Sequence, residues 1–324
     1  VGGAVPDFRI ETEIKDAKLN LVVSNLRAKE KAGRLAVKSD NRVLLDTEVA
    51  LTPQGKKVLT LPLPEQAGRT KAAYTLEFHA PGKEPLFKEF DLDLFKARKA
   101  PAGFAADGNL AKWADAPAVA LATYRDYPPP AKSKWFGHPL FRKGDADLAA
   151  NVRAKWNEKG LYLLVEVTDD VYSPDPRENI LASYNGDGLQ IYLDVFGDGD
   201  RNAVRGSYAP DDQAYMIRCR DGKKVEAYRE VAPWKQFAFT RPGPEPRIGG
   251  TFVKTAAGYA FDLFFPVESL PPWSPKAGAA MGISILVNDN DGDYRKRAAQ
   301  LNEGEEPMGR PGIWPLMVLE EENK

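Results

Sequence analysis

The chain carries two stretches rich in side-chain oxygens, the type of ligand that Ca²⁺ binds in proteins. The first stretch predicts a calcium site made of Asp194, Asp198, Asp200, Asn202, Asp211 and Asp212. The second stretch is the run Asn-Asp-Asn-Asp-Gly-Asp at 288–293. Both stretches lack the glycine and the closing glutamate of an EF-hand loop. Because Asp-Gly sequences also form ordinary hairpin turns, that alternative stays open for each stretch.

Tryptophans in predicted loops are candidates for a second kind of chemistry, the stacking of an aromatic ring on the apolar face of a ligand. A pyranose presents an apolar face of C–H groups that stacks on an aromatic ring, while its hydroxyls need polar partners at the rim. Trp135 lies in the predicted loop at 126–145, and Trp234 lies in the predicted loop at 232–250. Both are therefore candidate sugar contacts, although a tryptophan that fills the space under a long loop would give the same pattern.

Catalytic chemistry finds little support in the sequence. The two histidines, His79 and His138, do not show the spacing of zinc ligands. The chain has neither a glycine-rich phosphate loop nor a GxSxG nucleophile turn. A glycosidase needs two carboxylates that face each other across a cleft, and nothing singles out one pair among 46 acidic residues. We therefore predict a protein that is not an enzyme and has no catalytic residues.

Length and charge limit the classes of protein to which the chain can belong. Its 324 residues suit two domains better than one. With 45 basic and 46 acidic residues the net charge is −1, so the electrostatic footprint of a nucleic-acid-binding protein is absent from the sequence. No apolar run approaches the ~20 residues of a membrane-spanning helix. The first residues, VGGAVPDF, lack signal-peptide character, so an export signal is expected to lie outside this chain.

The first part of the chain alternates polar and apolar residues in short runs. Phe8 and Ile10 share one parity, as side chains on one face of a strand do. Turns that contain glycine or proline separate these runs. For residues 1–97 this pattern therefore predicts an immunoglobulin-like or fibronectin-like β-sandwich. We expect a linker at 98–103 and a second β-sandwich over 104–324. The predicted fold class is all-β, with two sandwiches in series.

The second region is also rich in strands, and helical periodicity is nearly absent from it. The clearest predicted strands are Ala149–Trp156, Leu161–Thr168, Gly188–Phe196, Gln213–Arg220, Tyr259–Phe265 and Gly282–Asn288. Long loops are predicted between them, the last at 289–312. Loops of this length on a compact sandwich are more often functional than neutral.

Four sequence blocks occur in order in this second region. They are Asp107–Pro117, Asp145–Asp170, Asn185–Asp200 and Gly282–Asp293, and the third reads NGDGLQIYLDVFGDGD. In this order they resemble the family 9 carbohydrate-binding modules, over about residues 101–320. The resemblance implies a β-sandwich that binds a saccharide, belongs with secreted polysaccharide-degrading enzymes and often carries structural calcium.

The resemblance also implies which residues bind the sugar. In this family two aromatic walls hold the sugar, and an arginine together with carboxamide or carboxylate groups binds its hydroxyls. Tyr184 falls at the first aromatic wall, and Gln190 falls at a hydrogen-bonding position. The position of the family arginine falls near Met216, and Arg218 lies two residues further along on the same face of the predicted strand.

The second aromatic wall departs from the family pattern, because it falls near Leu301. Trp135 or Trp234 is the expected replacement. We expect binding of a polysaccharide or oligosaccharide by an extracellular or periplasmic accessory module, covalently linked to a glycoside hydrolase or a similar catalytic domain. The rival hypothesis is a structural or protein-interaction module that has kept the sandwich and lost the sugar site.

Overall fold

The computed structural model describes residues 7–40, 42–64, 68–129, 131–132, 146–199, 207–234, 241–292, 294–304 and 307–321. Among these residues, helical structure occurs only as short 3₁₀ turns, the longest being Ile180–Asn185. The rest of the regular structure is strand, so the predicted all-β fold class is confirmed. None of the described helical turns has the length and apolar character needed to cross a membrane.

The chain divides into two compact units. The first comprises residues 1–94 and 277–279, and the second comprises residues 95–276 and 280–324. The division falls inside a strand that ends at Lys99. The linker predicted at 98–103 therefore begins within this strand.

The first unit is a sandwich of two antiparallel sheets. Its strands are β1 (Phe8–Lys15), β2 (Lys18–Asn25), β3 (Lys31–Ser39), β4 (Arg42–Leu51), β5 (Lys56–Pro62), β6 (Thr70–His79) and β7 (Leu86–Lys99). One sheet has the order β1–β2–β5 and the other the order β4–β3–β6–β7. Alternate side chains of β1 point inward, and Phe8 packs against Phe78 of the opposite sheet with 4.6 Å between ring centroids.

The second unit contains the remaining strands. They are β8 (Val119–Ala120), β9 (Thr123–Asp126), β10 (Leu148–Asn157), β11 (Gly160–Asp169), β12 (Gly188–Asp194), β13 (Gln213–Arg218), β14 (Glu226–Val231), β15 (Gly243–Pro244), β16 (Gly249–Thr255), β17 (Gly258–Pro266), β18 (Ala280–Asn290), β19 (Arg295–Gln300) and β20 (Leu316–Leu319). One antiparallel sheet has the order β8–β10–β11–β17–β16. The other has the order β9–β19–β18–β12–β13–β14–β15, and we call it the site sheet.

The central strands of the site sheet are buried on both faces. Ile191 of β12 lies opposite Tyr215 of β13, and Tyr215 contacts Phe265 of β17 in the other sheet with 5.6 Å between ring centroids. This face therefore forms the core between the sheets. Side chains of the other parity, such as Gln190, point to the opposite face, which we call the outer face. Every residue of β12 is buried, so loops rather than solvent cover its outer face.

The six clearest predicted strands are confirmed, and their ends lie within two residues of the predicted ones. The loop predicted at 289–312 was wrong in part, because β19 lies inside it. This strand begins with the basic triplet Arg295-Lys296-Arg297, which hides the alternation of polar and apolar residues. Its second half, which ends at Gln300, is buried and pairs with β18 and β9.

Candidate functional site

The 3₁₀ turn Ile180–Asn185 lies over the outer face of the site sheet, where it contacts β12, β13, β14 and β18. The side-chain oxygen of Asn179 caps the start of the turn by accepting a hydrogen bond of 3.1 Å from the backbone nitrogen of Leu181. At the other end, Gly186 is needed for space, because a Cβ there would collide with the backbone nitrogen of Asp175. These local features fix the position of the turn on the sheet.

Tyr184 is the exposed aromatic residue of this turn, with 43% of its surface accessible. The guanidinium carbon of Arg295 lies 5.8 Å from the centroid of the Tyr184 ring and 3.6 Å from the centroid of the Tyr127 ring. The contact at 3.6 Å is a cation–π interaction that holds the Arg295 guanidinium against the face of the Tyr127 ring. The structure thus places the predicted wall residue Tyr184 next to Arg295 and Tyr127, which sequence reasoning missed.

Gln190 lies beneath this group rather than at the surface. It is 3% exposed, and its amide nitrogen donates a hydrogen bond of 3.1 Å to Oδ1 of Asn288. The hydroxyl of Tyr192 donates to its amide oxygen at 2.7 Å. The same Oδ1 of Asn288 accepts a hydrogen bond of 3.1 Å from Arg295. Gln190 is therefore connected to Arg295 through Asn288, and its predicted contact with a sugar hydroxyl stays a prediction.

Arg218 is also buried, at 1% exposure. Its Nε donates a hydrogen bond of 2.7 Å to Oε2 of Glu226. Its two terminal nitrogens donate to the backbone carbonyls of Arg177 and Glu178, at 2.8 and 3.1 Å. The guanidinium therefore ties the strand pair β13–β14 to the segment that leads into the Tyr184 turn. Its predicted contact with sugar hydroxyls stays a prediction.

The structure describes only one of the two candidate tryptophans, Trp234. Trp234 is 57% exposed and follows β14. Its backbone nitrogen donates a hydrogen bond of 2.7 Å to the carbonyl of Pro210, which adjoins Asp211. Trp135 lies outside the described residues. The second aromatic wall therefore remains a prediction for both residues.

The first predicted calcium cluster is assembled in part. Carboxylate oxygens of Asp194, Asp198 and Asp211 lie within 4.8 Å of one another. Asp194 also accepts hydrogen bonds of 2.7 and 2.8 Å from backbone nitrogens of the glycine-containing loop that follows it. Burial, and then the charge of Asp211, raise the pKa of Asp194 to about 6. A buried carboxyl group with this neighbour is the type of group that a bound cation would stabilise in its charged form.

The other predicted members of that cluster are placed differently. Asp212 accepts a hydrogen bond from the backbone nitrogen of Ala209 through Oδ2. Its Oδ1 is buried and has no hydrogen-bond partner within the described part of the chain. Burial is the main cause that raises the pKa of Asp212 to about 8. Asp200 and Asn202 lie outside the described residues, and the calcium site itself stays a prediction.

A second acidic cluster lies next to the Tyr184 turn. Carboxylate oxygens of Asp169, Asp187 and Asp289 lie within 4.8 Å of one another, and all three residues are buried. Neither side-chain oxygen of Asp289 has a hydrogen-bond partner among the described residues. Burial is the main cause that raises the pKa of Asp169 to about 6 and that of Asp289 to about 8. Three buried carboxylates repel one another unless they are protonated or share a cation, so their oxygens fit a Ca²⁺ ion.

Asp187 connects this cluster to the turn. One of its carboxylate oxygens accepts a hydrogen bond of 2.8 Å from the backbone nitrogen of Asn290, and the other accepts one from the backbone nitrogen of Ser173. The side-chain nitrogen of Asn290 in turn donates to the backbone carbonyl of Asn185, the last residue of the turn. Sequence reasoning drew attention to Asp289 but missed Asp169 and Asp187, because their meeting depends on strand pairing.

A third group of carboxylates already holds a cation from the chain. Oxygens of Asp147, Asp170 and Asp291 lie within 4.8 Å of one another. The ammonium of Lys296 lies 2.7 Å from oxygens of both Asp147 and Asp291, and 3.4 Å from Oδ2 of Asp289. Although burial opposes it, hydrogen bonding to the two nearer carboxylates raises the pKa of Lys296. The lysine therefore neutralises this group and borders the second acidic cluster.

Two proteins of known function are similar to about half of the chain. Endo-1,4-beta-xylanase A of Thermoanaerobacterium saccharolyticum is 27% identical over 151 residues, which are 47% of this chain and 10% of that protein. Exoglucanase XynX of Acetivibrio thermocellus is 25% identical over 150 residues, which are 46% of this chain and 10% of that protein. The chain thus spans about a tenth of the length of these relatives.

Two solved structures also resemble the chain. Both are family 9 carbohydrate-binding modules from Caldicellulosiruptor kristjanssonii. The complex with glucose has a TM-score of 0.47 at 17% identity and covers 70% of this chain and 97% of its own. The complex with cellotriose has a TM-score of 0.46 at 16% identity and covers 70% and 94%.

The family itself follows from a match to a family model. Residues 131–314 match the model described as "Carbohydrate family 9 binding domain-like". This span is more than half of the chain and lies within the second unit, apart from three residues at 277–279. The resemblance seen in the four sequence blocks is thereby confirmed, and the chain belongs to the carbohydrate family 9 binding domain-like family.

Proposed function

We propose that the second unit binds a saccharide non-covalently, without catalysing a reaction, at the outer face of the site sheet around Tyr184. One observation carries the proposal: an exposed Tyr184 ring lies beside the stacked pair of Arg295 and Tyr127. Membership of a carbohydrate-binding family supports the class of ligand. A flat ring with polar groups at its edge is the arrangement that a pyranose needs.

The chemistry of binding follows from this arrangement. The C–H face of a sugar would stack on the Tyr184 ring, and its hydroxyls would accept hydrogen bonds from the Arg295 guanidinium. Asn288 keeps Arg295 in place, since its Oδ1 accepts a hydrogen bond of 3.1 Å from the guanidinium. One stacking contact with a few hydrogen bonds gives modest affinity, because association must overcome the loss of translational and rotational freedom.

Gln190 and Arg218 would contribute to binding indirectly, because they hold neighbouring groups of the site in place. Gln190 supports Asn288 from below, and Arg218 holds the carbonyls of Arg177 and Glu178 at the entrance to the turn. Both side chains are almost fully buried, so a direct contact with a ligand would require the turn to move. We therefore assign the direct contacts to Tyr184 and Arg295.

We also propose that Asp169, Asp187 and Asp289 bind a calcium ion that stabilises the turn. The buried oxygens of Asp289 without hydrogen-bond partners, within the part of the chain described, support this proposal. Asp187 follows the Tyr184 turn and accepts hydrogen bonds from the backbone nitrogens of Ser173 and Asn290, so an ion held there would fix the turn as well. Asp194, Asp198 and Asp211 form a second candidate calcium site.

The relatives support a context for this binding. They carry the names of a xylanase and an exoglucanase, and the matched segment is a small part of each. We propose that this chain acts as an accessory region of an extracellular polysaccharide-degrading protein. A module of this kind raises the local concentration of a linked catalytic domain at the polymer surface.

A binding screen tests the proposal. The purified chain would be incubated with insoluble cellulose and with insoluble xylan, once with Ca²⁺ and once with a chelator, and the bound fraction would be measured. We expect retention on at least one polysaccharide, and weaker retention with the chelator. Bovine serum albumin serves as the non-binding control.

The second candidate function is a structural or protein-interaction module. Loops cover the outer face of the site sheet and leave Gln190 and Arg218 almost fully buried, which favours this second candidate. This candidate predicts no retention on any polysaccharide and no effect of Tyr184 substitutions on binding. The same screen therefore separates the two functions.

A further inference from the structure

Trp234 and Phe196 are the most exposed aromatic residues that the structure describes in the second unit, at 57% and 51%. The backbone nitrogen of Trp234 donates a hydrogen bond of 2.7 Å to the carbonyl of Pro210. The backbone nitrogen of Phe196 donates one of 2.9 Å to Oδ2 of Asp211, the next residue in the chain. These two nitrogens can therefore lie no more than about 12 Å apart. Two exposed aromatic residues anchored to one dipeptide belong to one patch of the surface, unlike apolar residues that are scattered singly.

Local structure fixes the backbone that carries both rings. Phe196 lies in a turn in which the carboxylate of Asp194 accepts a hydrogen bond of 2.7 Å from the backbone nitrogen of Gly197. Pro233, which is buried, restricts the backbone directly before Trp234. Stacking of a ligand on either ring would therefore order little of the backbone, and less of the binding free energy is lost in this way.

A half-buried carboxylate without a partner precedes Trp234. Glu230 lies in a bulge of β14, because Val231 pairs with Ala214 whereas Arg229 pairs with the next residue, Tyr215. The Glu230 side chain has neither a hydrogen bond nor an ion pair within the described part of the chain, and burial raises the pKa of its carboxyl group. Bulges re-aim side chains and are common next to active sites. Hydroxyl groups of a sugar are the donors that such a carboxylate accepts.

These residues lie far from Tyr184 on the site sheet. Tyr184 lies beside Arg295, which begins β19, whereas Trp234 follows the end of β14. The strand order β19–β18–β12–β13–β14 separates the two strands by about 19 Å. Along the strands, the Tyr184 turn precedes β12 and Phe196 lies beyond its other end, which adds roughly 20 Å. Trp234 and Tyr184 therefore suit two separate contacts along one polymer better than two walls around one sugar.

We propose that Trp234, Phe196 and Glu230 form a second saccharide-binding surface, which contacts a neutral polysaccharide at a point distant from Tyr184. The C–H face of a sugar stacks on the Trp234 ring, and its hydroxyls donate hydrogen bonds to the Glu230 carboxylate. This inference rests on the proposed carbohydrate-binding function and goes beyond it by assigning a second contact. A polymer that reaches both contacts is held more tightly than a short ligand, because its second binding event is intramolecular.

Retention on a polymer and titration with a short ligand separate the two contacts. The polymer is insoluble cellulose or xylan, and the short ligand is the trisaccharide of the same sugar, which cannot reach both contacts at once. Trp234→Ala should weaken retention on the polymer about tenfold, because one of two linked contacts is lost. The same variant should leave the calorimetric affinity of the Tyr184 site for the trisaccharide unchanged. Tyr184→Ala should weaken both kinds of binding.

Further variants assign the chemistry of the second surface. Trp234→Phe should keep most of the retention, since it preserves an aromatic face. Glu230→Gln should weaken retention, because a neutral amide accepts hydrogen bonds less strongly than a carboxylate. The matched controls are Phe87→Ala and Glu84→Gln, at an exposed ring and an exposed carboxylate of the first unit, and both should retain the polymer binding of the unmodified protein. Circular dichroism would show that each variant is folded.

The outcomes separate this inference from the proposed function. Equal polymer retention by Trp234→Ala and the unmodified protein would overturn the second surface and leave the Tyr184 site intact. A loss of trisaccharide affinity as large in Trp234→Ala as in Tyr184→Ala would also overturn it, because Trp234 would then belong to the first site. Binding of a trisaccharide by a protein that no polymer retains would refute the second surface alone. Failure to bind either ligand would refute both proposals.

A second copy of this chain is the other possible occupant of the surface. Light scattering on the unmodified protein and on Trp234→Ala would detect it. A lower molecular mass for the variant, together with unchanged polymer retention, would assign the surface to self-association and overturn the inference. Equal masses together with weaker retention are the expected result.

Discussion

The Nε of Arg218 donates a hydrogen bond of 2.7 Å to Oε2 of Glu226, on neighbouring strands of the site sheet. The remaining guanidinium nitrogens reach the carbonyls of Arg177 and Glu178 in the segment above. One buried side chain thereby joins a sheet to the loop that carries the exposed ring. Arg218 thus connects the stability of the sheet with the position of the Tyr184 turn.

Replacement of Arg218 by methionine is expected to lower the free energy of unfolding by ~3 kcal/mol, the usual cost of breaking a buried ion pair. The carbonyls of Arg177 and Glu178 lose their side-chain donor, and Glu226 keeps only Arg220 as a partner. Arg218→Lys should recover little of this loss, since a lysine cannot span three acceptors with a planar fork. Urea denaturation would measure both values. The control is Arg220→Met, which removes a more exposed partner of the same Glu226 and should cost under ~1 kcal/mol. Equal losses of unfolding free energy for Arg218→Met and Arg220→Met would contradict the claim that Arg218 joins the sheet to the loop above it.

The stability of the metal-free protein should fall as pH rises between about 4 and about 8. The folded-state pKa of Asp169 is about 6 and that of Asp289 is about 8, both above the usual 3.8. Carboxyl groups with raised pKa values bind more protons in the folded state than in the unfolded state, so folding is favoured at low pH and penalised once they must ionise. Added Ca²⁺ should offset this penalty, because the charged carboxylates then have a cation.

Thermal melting with a chelator and with Ca²⁺, at about pH 5 and about pH 8, checks this dependence. We expect the calcium-induced rise in melting temperature to be larger at the higher pH. Asp289→Asn should reduce both the pH dependence and the calcium effect, while Asp46→Asn, at an exposed ion pair of the first unit, should leave the calcium effect unchanged. A rise of equal size at both pH values would count against the site.

Lys296 is expected to neutralise its neighbouring carboxylates as a cation supplied by the chain. When it is replaced, a metal cation from solution should bind there instead. Lys296→Met leaves the carboxylates of Asp147 and Asp291 without the ammonium that lies 2.7 Å from each. In a chelator the variant should lose ~3 kcal/mol of stability, the usual cost of an unpaired buried charge. Calcium should restore more stability to the variant than to the unmodified protein, and calorimetry should detect an additional ion. If Ca²⁺ stabilised both proteins equally, the lysine would have another role.

Much of the fold could be predicted from the sequence because strand patterns are local. The apolar run from Leu161 to Val165 and the alternation that begins at Phe8 each reflect burial along a single strand. Where the strand is charged, as at Arg295-Lys296-Arg297, the pattern does not predict it. Its charges are accommodated by Tyr127 and by the carboxylates of Asp289 on β18 and Asp126 on β9, and these partners become neighbours only when the sheet forms.

The candidate site shows the same limit. Tyr184 was found from a sequence block, since the NGDG turn and the strand after it are continuous in the chain. Arg295 was missed, because its nearness to Tyr184 depends on the pairing of β18 with β19 and on the turn crossing over the sheet. Arg218 was expected at the surface by strand parity, which assigns a side chain to a face but does not show which loop covers that face.

The central claim is tested most directly by the affinity of Tyr184 variants for a saccharide. Calorimetric titration with an oligosaccharide that the unmodified protein binds would be repeated for Tyr184→Ala, Tyr184→Phe and Phe87→Ala. Phe87 is the matched control, because it is an exposed aromatic residue of the first unit. A correctly folded Tyr184→Ala variant should lose ~1–2 kcal/mol of binding free energy, whereas Tyr184→Phe and Phe87→Ala should lose little. An unchanged affinity of the alanine variant at position 184 would contradict the claim that this ring binds the sugar.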